Sequence, residues 1–485
     1  MRIAVPRPAL AGAVLLAVLV ALAWMRGIDH DESQYVAAAR LTAAGLLPYR
    51  DYAYLQTPLQ PFAFAPLVWL FGPLDLAWPA LRIANALLGG LTVAATWRAM
   101  RTAGVDERTA TMCAGLFATC DILLFSAGTA RNDALPAALF AVALVPILRA
   151  ERGDGTMGGA LLAGLLLSAA AAAKVSYALP AATYGIWALL HHRHRPTSVA
   201  LGALPSIVLV AALAAAAPDG FAFGTLIFPA RAPAEWYAAT GRAWKLGLAI
   251  KAIDTAKFLA LGPALLALVL VARWGRPSLL AWLTLAGVAS ALLPSPTWRQ
   301  YLLPALPPLF VMLALRLERL PPARGWYRAF AGFAAIGLVP SIVAVTSGTG
   351  MIVGVAETRA LAVQSVGGTV ATLSPQFLPD NALPDPRFAT GPFYFRSRAL
   401  VTASREARLH LVSHPRLTAS FAMRPPDFIL VGGEGTWASG TDELDRLLER
   451  WAVTRGWGRV DTGGRLRLYA PPAARRAALP AIRPE

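Results

Sequence analysis

The chain has 485 residues, 56% of them hydrophobic and 15% charged, with a mean hydropathy of +0.53. That balance excludes a soluble globule and fits many membrane spans plus one water-soluble domain. The net charge of +17 is almost all arginine, much of it in short loops between apolar runs, so it reads as membrane topology rather than nucleic-acid binding.

The first apolar run, 9–25, follows Arg2 and Arg7. Ala21-Leu22-Ala23 resembles a signal-peptidase site, but the topology below needs this span, so it reads as an uncleaved anchor. The segment 26–76 comes next. Its acidic loop, Asp29-His30-Asp31-Glu32, opens a short helix from Tyr35 to Ala44 that stops at Gly45. Asp31 and Gln34 have capping-box spacing, and Thr57-Pro58 marks a second helix start. The aromatic stretch from Phe62 to Phe71, punctuated by prolines, reads as a helix lying in the membrane interface.

Further apolar runs occupy 77–97, 110–127, 134–149, 158–173, 176–190, 197–217, 256–272, 278–293, 301–317 and 329–346, which predicts about eleven spans in all. With the N-terminus in the cytoplasm, every inside loop carries arginine: Arg98/Arg101/Arg108, Arg149/Arg152, Arg193/Arg195, Arg273/Arg276 and Arg316/Arg319/Arg324/Arg328. The same parity puts 26–76 and everything after 346 outside. In a bacterium that means a multi-pass inner-membrane protein with a periplasmic C-terminal domain. The pair 158–173 and 176–190 is joined only by Lys174-Val175, and losing one of the two would break the charge pattern.

Beyond 346 the apolar runs end, and residues 347–485 read as a small α/β domain. Thr369–Leu373 and Phe428–Val431 predict buried strands, Asp442–Trp451 an amphipathic helix, and Val453–Val460 with Arg465–Tyr469 a closing hairpin. The tail from Pro471 reads as disordered. Cys113 and Cys120, one heptad apart in an apolar run, read as two core thiols. His410 and His414 have metal-like spacing without a third ligand, and no P-loop or nucleotide-binding glycine motif is present.

Ionisable residues at the outer ends of spans are costly and therefore informative. They collect in four places: Asp29/Asp31/Glu32, Arg131-Asn132-Asp133, Lys174, and Arg299-Gln300-Tyr301. Carboxylates and cations at one membrane face suit a reaction in which a carboxylate deprotonates an acceptor hydroxyl and cations hold an anionic phosphate leaving group. Each also has a simpler explanation. Asp31 and Asp133 could cap helices, Lys174 could snorkel, Arg299 could anchor in the interface, and Tyr35, Tyr49, Tyr52 and Tyr54 could form an aromatic belt.

Taken in order, these residues resemble the GT-C superfamily of membrane glycosyltransferases, which includes protein O-mannosyltransferases and the bacterial aminoarabinose transferases. The matching positions are Asp31-Glu32 after the first span, Tyr35, Gly45 with Pro48-Tyr49-Arg50-Asp51, Arg82, Asp133, Lys174, and Arg299-Gln300-Tyr301-Leu302-Leu303-Pro304, over about residues 1–320. The resemblance implies an all-α polytopic membrane domain over 1–346 that moves a sugar from a polyprenyl-phosphate donor to a glycan, lipid or protein acceptor. Asp31 would be the catalytic base of an inverting displacement, with Glu32 and Asp133 as further catalytic carboxylates. Lys174, Arg299, Tyr301 and Arg131 would hold the donor phosphate, and His30, Tyr35, Tyr49 and Tyr52 would line the substrate site. A divalent cation, Mg2+ or Mn2+, would sit on Asp31 and Asp133 if one is used, although the chain lacks a clear DxD motif. The partners implied are the lipid-linked donor, the acceptor and membrane lipid, and no nucleic acid.

The competing expectation is a transporter or flippase for a lipid-linked or anionic substrate. It would show inverted halves and mid-span charges, and the sequence shows neither. A surface-polysaccharide polymerase or ligase would share the donor chemistry but carry its large outer loop late in the chain, whereas here the long loop comes first.

Overall fold

The computed structural model describes residues 8–273, 278–321, 323–346, 349–364, 367–397, 400–435, 441–461 and 464–472. Arg2, Arg7, Arg276 and the tail from residue 473 lie outside the described residues. The chain divides into two compact units. One comprises Met1–Ala23, Ile83–Ala212 and Tyr237–Ala344; the other comprises Trp24–Arg82, Leu213–Trp236 and Val345–Glu485. In this division 24–82 and 213–236 group with the C-terminal region.

All eleven expected apolar runs fall on helices. Six are long and apolar enough to cross a membrane: Pro8–Met25, Ala77–Thr102, Ala134–Glu151, Pro196–Ala216, Arg299–Arg319, and the segment starting at Arg324. Two more are bent pairs, Glu107–Ala118 with Asp121–Ala127 (68°) and Leu248–Ala260 with Ala264–Ala272 (104°). The remaining three are shorter apolar helices, Met157–Ala173, Val175–Leu190 and Leu279–Leu292. A multi-pass membrane protein follows.

The first unit is a helical bundle with an alanine- and leucine-rich core that includes Ala137, Phe140, Leu144, Ala170, Leu283, Leu306 and Phe310. Small side chains let backbones approach closely. A Cβ on Gly202 would run into the carbonyl of Leu161, so glycine is required where the helices Met157–Ala173 and Pro196–Ala216 cross. The two bends meet: the Asp121 N–H donates to the Leu261 carbonyl at 3.0 Å, and Gly262 has φ +132°. The break at Thr119–Cys120 therefore separates Cys113 and Cys120 onto different helical segments, and both thiols are free and buried. Residues 158–190 form two helices, parted by the extended backbone of Lys174 (φ −155°, ψ 125°).

The second unit contains the acidic loop, the helix Glu32–Ala43, the helix Leu59–Phe71 and a five-stranded sheet. Strands β1 (Gly368–Ala371), β2 (Ala382–Pro384), β3 (Phe428–Val431), β4 (Gly458–Asp461) and β5 (Arg467–Ala470) lie in the order β2-β1-β3-β5-β4. β2, β1 and β3 are parallel, while β3, β5 and β4 are antiparallel. The expected strand at 428–431 and the closing hairpin are present; the helix Glu443–Thr454 takes residues 453–454, which the hairpin was expected to include. β2 has only three residues and ends in proline, too short for an alternating pattern to reveal it. Its first residue accepts a hydrogen bond at 2.9 Å from Arg40 of the helix Glu32–Ala43, which ties that helix to the sheet edge. Ile429, Val431, Phe421, Leu448, Trp451 and Phe388 form the core under the sheet.

Candidate functional site

The expected site residues fall into two groups, one in each unit. In the second unit the acidic loop leads into the helix Glu32–Ala43. Asp31 stands at its N-cap position but makes no capping hydrogen bond, so the capping-box expectation does not hold. Its carboxylate instead lies 3.2 Å from His30 Nε2, and its backbone N–H donates to Asp29 Oδ1 at 2.9 Å. The Asp31 side chain is 24% exposed, open enough to meet a substrate. Thr57 likewise does not cap the helix Leu59–Phe71.

Glu32 is different. It is fully buried, accepts from Arg82 Nε at 2.8 Å and from Trp78 Nε1 at 2.7 Å, and Arg82 goes on to bond the carbonyls of Arg26 and Gly27 at 2.9 and 3.0 Å. This buried pair pins both ends of the loop that presents Asp31. His30 stacks on Phe393 with ring centroids 5.6 Å apart. Tyr35, Tyr49 and Tyr52 are buried. The Tyr49 hydroxyl donates to the Gln56 carbonyl at 2.5 Å, and the Tyr52 hydroxyl shares a hydrogen bond with Thr42 at 2.8 Å. Burial pushes both phenols above their usual range, so both remain neutral.

A residue that the sequence did not single out stands in the same unit. Glu434, just past β3, is buried, accepts from Ser374 Oγ at 3.2 Å, and its N–H donates to Asp445 at 3.0 Å. Burial, then Asp445, and then Asp31 and Asp29 push its carboxyl well above the carboxylate range. An acid set among glycines directly after a buried strand was the available signal.

In the first unit, Asp133 precedes the helix Ala134–Glu151 without capping it. One carboxylate oxygen is bonded by Lys174, and the other lies 3.2 Å from Arg131 Nε. All three side chains are buried, so Lys174 does not snorkel. Its ammonium lies 5.2 Å from the Tyr301 ring centroid. Arg299 is not a lone interface anchor. It pairs with the buried Asp121 at 2.8 Å and lies over the Phe125 ring, 3.8 Å from its centroid, while Arg131 approaches the same ring at 5.2 Å. Asp121 was missed because it sits inside what reads as one apolar run; a single acid in that run was the only sign of the helix break.

Asp133 has both oxygens committed to cations, which does not suit a metal ligand. Among the described residues, the group of donors close enough to hold a metal is Asp29, His30 and Asp31, with ligand atoms within 4.8 Å of one another. Two carboxylates and an imidazole suit Mn2+ or another transition metal better than Mg2+.

No protein-family model and no curated protein sequence matches this chain. Solved structures do. The crystal structure of ArnT from Cupriavidus metallidurans bound to undecaprenyl phosphate is 15% identical, covers 95% of this chain and 97% of its own, and superposes with a TM-score of 0.60. The same protein in the apo state is 16% identical over the same shares, with a TM-score of 0.56. At that identity the likeness speaks for the fold: over nearly its whole length this chain has the fold of ArnT.

Proposed function

We propose that the protein transfers a sugar from a polyprenyl-phosphate-linked donor to a cell-envelope acceptor at the outer face of the bacterial inner membrane. The observation that carries this is the convergence of three cations: Lys174 and Arg131, buried on either side of Asp133, and the part-exposed Arg299, which lies over the same Phe125 ring that Arg131 approaches. Such a site suits a phosphate at the membrane surface. The fold supports the same reading, since its neighbour ArnT was solved with undecaprenyl phosphate bound.

In this reading Asp31 is the base. The acceptor oxygen attacks the anomeric carbon and its proton passes to Asp31, while the carbon–oxygen bond to phosphate breaks on the opposite face. The phosphate leaves with the bonding pair, and Lys174, Arg131 and Arg299 neutralise the charge that develops. Tyr301 supports Lys174 through its ring face. Asp133 keeps Lys174 and Arg131 in place, and Glu32 with Arg82 keeps the loop in place, so both carboxylates position other groups. His30 and the ring faces of Tyr35, Tyr49 and Tyr52 are assigned to shaping the surroundings of the base. A divalent cation, where one is bound, would be held by Asp29, His30 and Asp31 and would add charge stabilisation there.

The test uses purified protein in detergent with radiolabelled polyprenyl-phosphate sugars, one sugar at a time, and a cell-envelope extract as the source of acceptor, and follows release of polyprenyl phosphate. Release by the wild type and none by Asp31→Asn is the expected result. Undiminished release by Asp31→Asn would overturn the mechanism, and donor binding without release of polyprenyl phosphate would favour a flippase.

A further inference from the structure

We infer that Asp121 is a positioning residue that aims Arg299 at an anionic phosphate; this rests on the reading of Arg299 as a phosphate ligand. Asp121 is fully buried at the break between two helical segments, and its backbone is tied to Leu261 of the other broken span. Its Oδ2 accepts from Arg299 Nη1 at 2.8 Å. Its Oδ1 has no hydrogen-bond partner among the described residues. A buried carboxylate kept only to hold the fold together would have both oxygens satisfied, so the half-satisfied state calls for another explanation.

Arg299 supplies one. The Phe125 ring supports one face of its guanidinium, and Asp121 takes one terminal nitrogen. That fixes both the plane and the rotation of the group. Nη1 is the nitrogen on the side of the aliphatic stem, so its use leaves the opposite edge, Nε with Nη2, intact. Neither of these two nitrogens hydrogen-bonds within the described residues, and the side chain is 25% exposed. This edge is the one that binds two oxygens of a phosphate side by side. Lysine could supply the charge but not the edge.

The experiment measures equilibrium binding of undecaprenyl phosphate to the full-length protein in detergent, with undecaprenol as the phosphate-free control. The proteins are wild type, Asp121→Asn, Arg299→Gln and the double variant. Asp121→Asn is expected to weaken undecaprenyl phosphate binding by about tenfold, to leave undecaprenol binding unchanged, and to add nothing in the Arg299→Gln background. Unchanged or tighter phosphate binding by Asp121→Asn, with Arg299→Gln binding weakly, overturns the inference and leaves the role of Arg299 standing. So does an equal loss for phosphate and alcohol, which would mark a packing defect. Undiminished binding by Arg299→Gln overturns the phosphate role of Arg299 itself. If Asp121→Asn yields no folded protein, Arg299→Lys replaces it, because that change keeps the charge and removes the planar edge; wild-type binding by Arg299→Lys would overturn the inference.

Discussion

Arg82 and Glu32 form an ion pair at 2.8 Å in which both side chains are fully buried, while Asp31, the residue beside Glu32, points its carboxylate toward His30 at a partly open position. Two adjacent acids thus have opposite surroundings, and their substitutions should fail in opposite ways. Removing one partner of a buried pair leaves an uncompensated charge and costs about 3–5 kcal/mol. Glu32→Gln is therefore expected to lower yield and thermal stability. Asp31→Asn should leave both near wild type while abolishing transfer. Thermal unfolding and a transfer assay on the two purified variants check this, and a stable but inactive Glu32→Gln protein would contradict it.

Lys174 and Asp133 should show the same dependence in the other unit. Asp133→Leu takes from buried Lys174 and Arg131 the carboxylate that both of them pair with and should destabilise the protein by about 3 kcal/mol or more. Lys174→Met leaves Asp133 paired with Arg131, so it should cost less stability while it weakens donor binding. A Lys174→Met protein as unstable as Asp133→Leu would show that Arg131 does not hold Asp133 on its own. Wild-type donor binding by Lys174→Met would remove Lys174 from the phosphate site.

How much of this was legible depended on whether a feature was local. The strand Phe428–Val431 is visible as a short apolar run bounded by turn residues, and its ends match. Lys174, Asp133, Arg131 and Arg299 were visible as ionisable residues at span ends, a costly placement. Their partners were not. The Asp31–Gln34 spacing of a capping box is the same whether or not the cap forms, and only the approach of Arg82, 50 residues on, shows what Glu32 does. Asp121 pairs with Arg299 across 178 residues and is masked by the apolar residues around it. Periodicity reports which face is buried, and it carries no record of which distant charge a buried acid will meet.

The orientation proposed here places the sheet domain outside the cytoplasm. Met423 is 78% exposed on that domain, and the native cysteines are buried and should stay unreactive. Met423→Cys is expected to react with a membrane-impermeant maleimide in cells with a permeabilised outer membrane. Leu190→Cys, next to the arginine- and histidine-rich loop, should react only after lysis. Labelling with the reverse pattern would invert the topology and move Asp31 to the cytoplasmic side.

The sheet domain should also lose stability as pH rises. Burial pushes Asp445 up to about 6, against the pull of the Glu434 and Gly432 N–H groups that it accepts from. An unfolded chain gives up this proton at its ordinary value near 3.8, whereas the folded domain keeps it to about 6. Between those values the folded state binds more protons, so stability is fully present below about pH 4 and falls through pH 6, by about 3 kcal/mol for a shift of this size. Glu434 is raised in the same direction and extends the decline to higher pH. Asp445→Asn has no proton to lose and should remove the first part of the slope. Hydrogen exchange in the helix Glu443–Thr454, compared between wild type and Asp445→Asn at pH 4 and pH 7, measures it. The variant should gain protection relative to wild type at pH 7, and a difference independent of pH would mean that Asp445 does not titrate between pH 4 and pH 7.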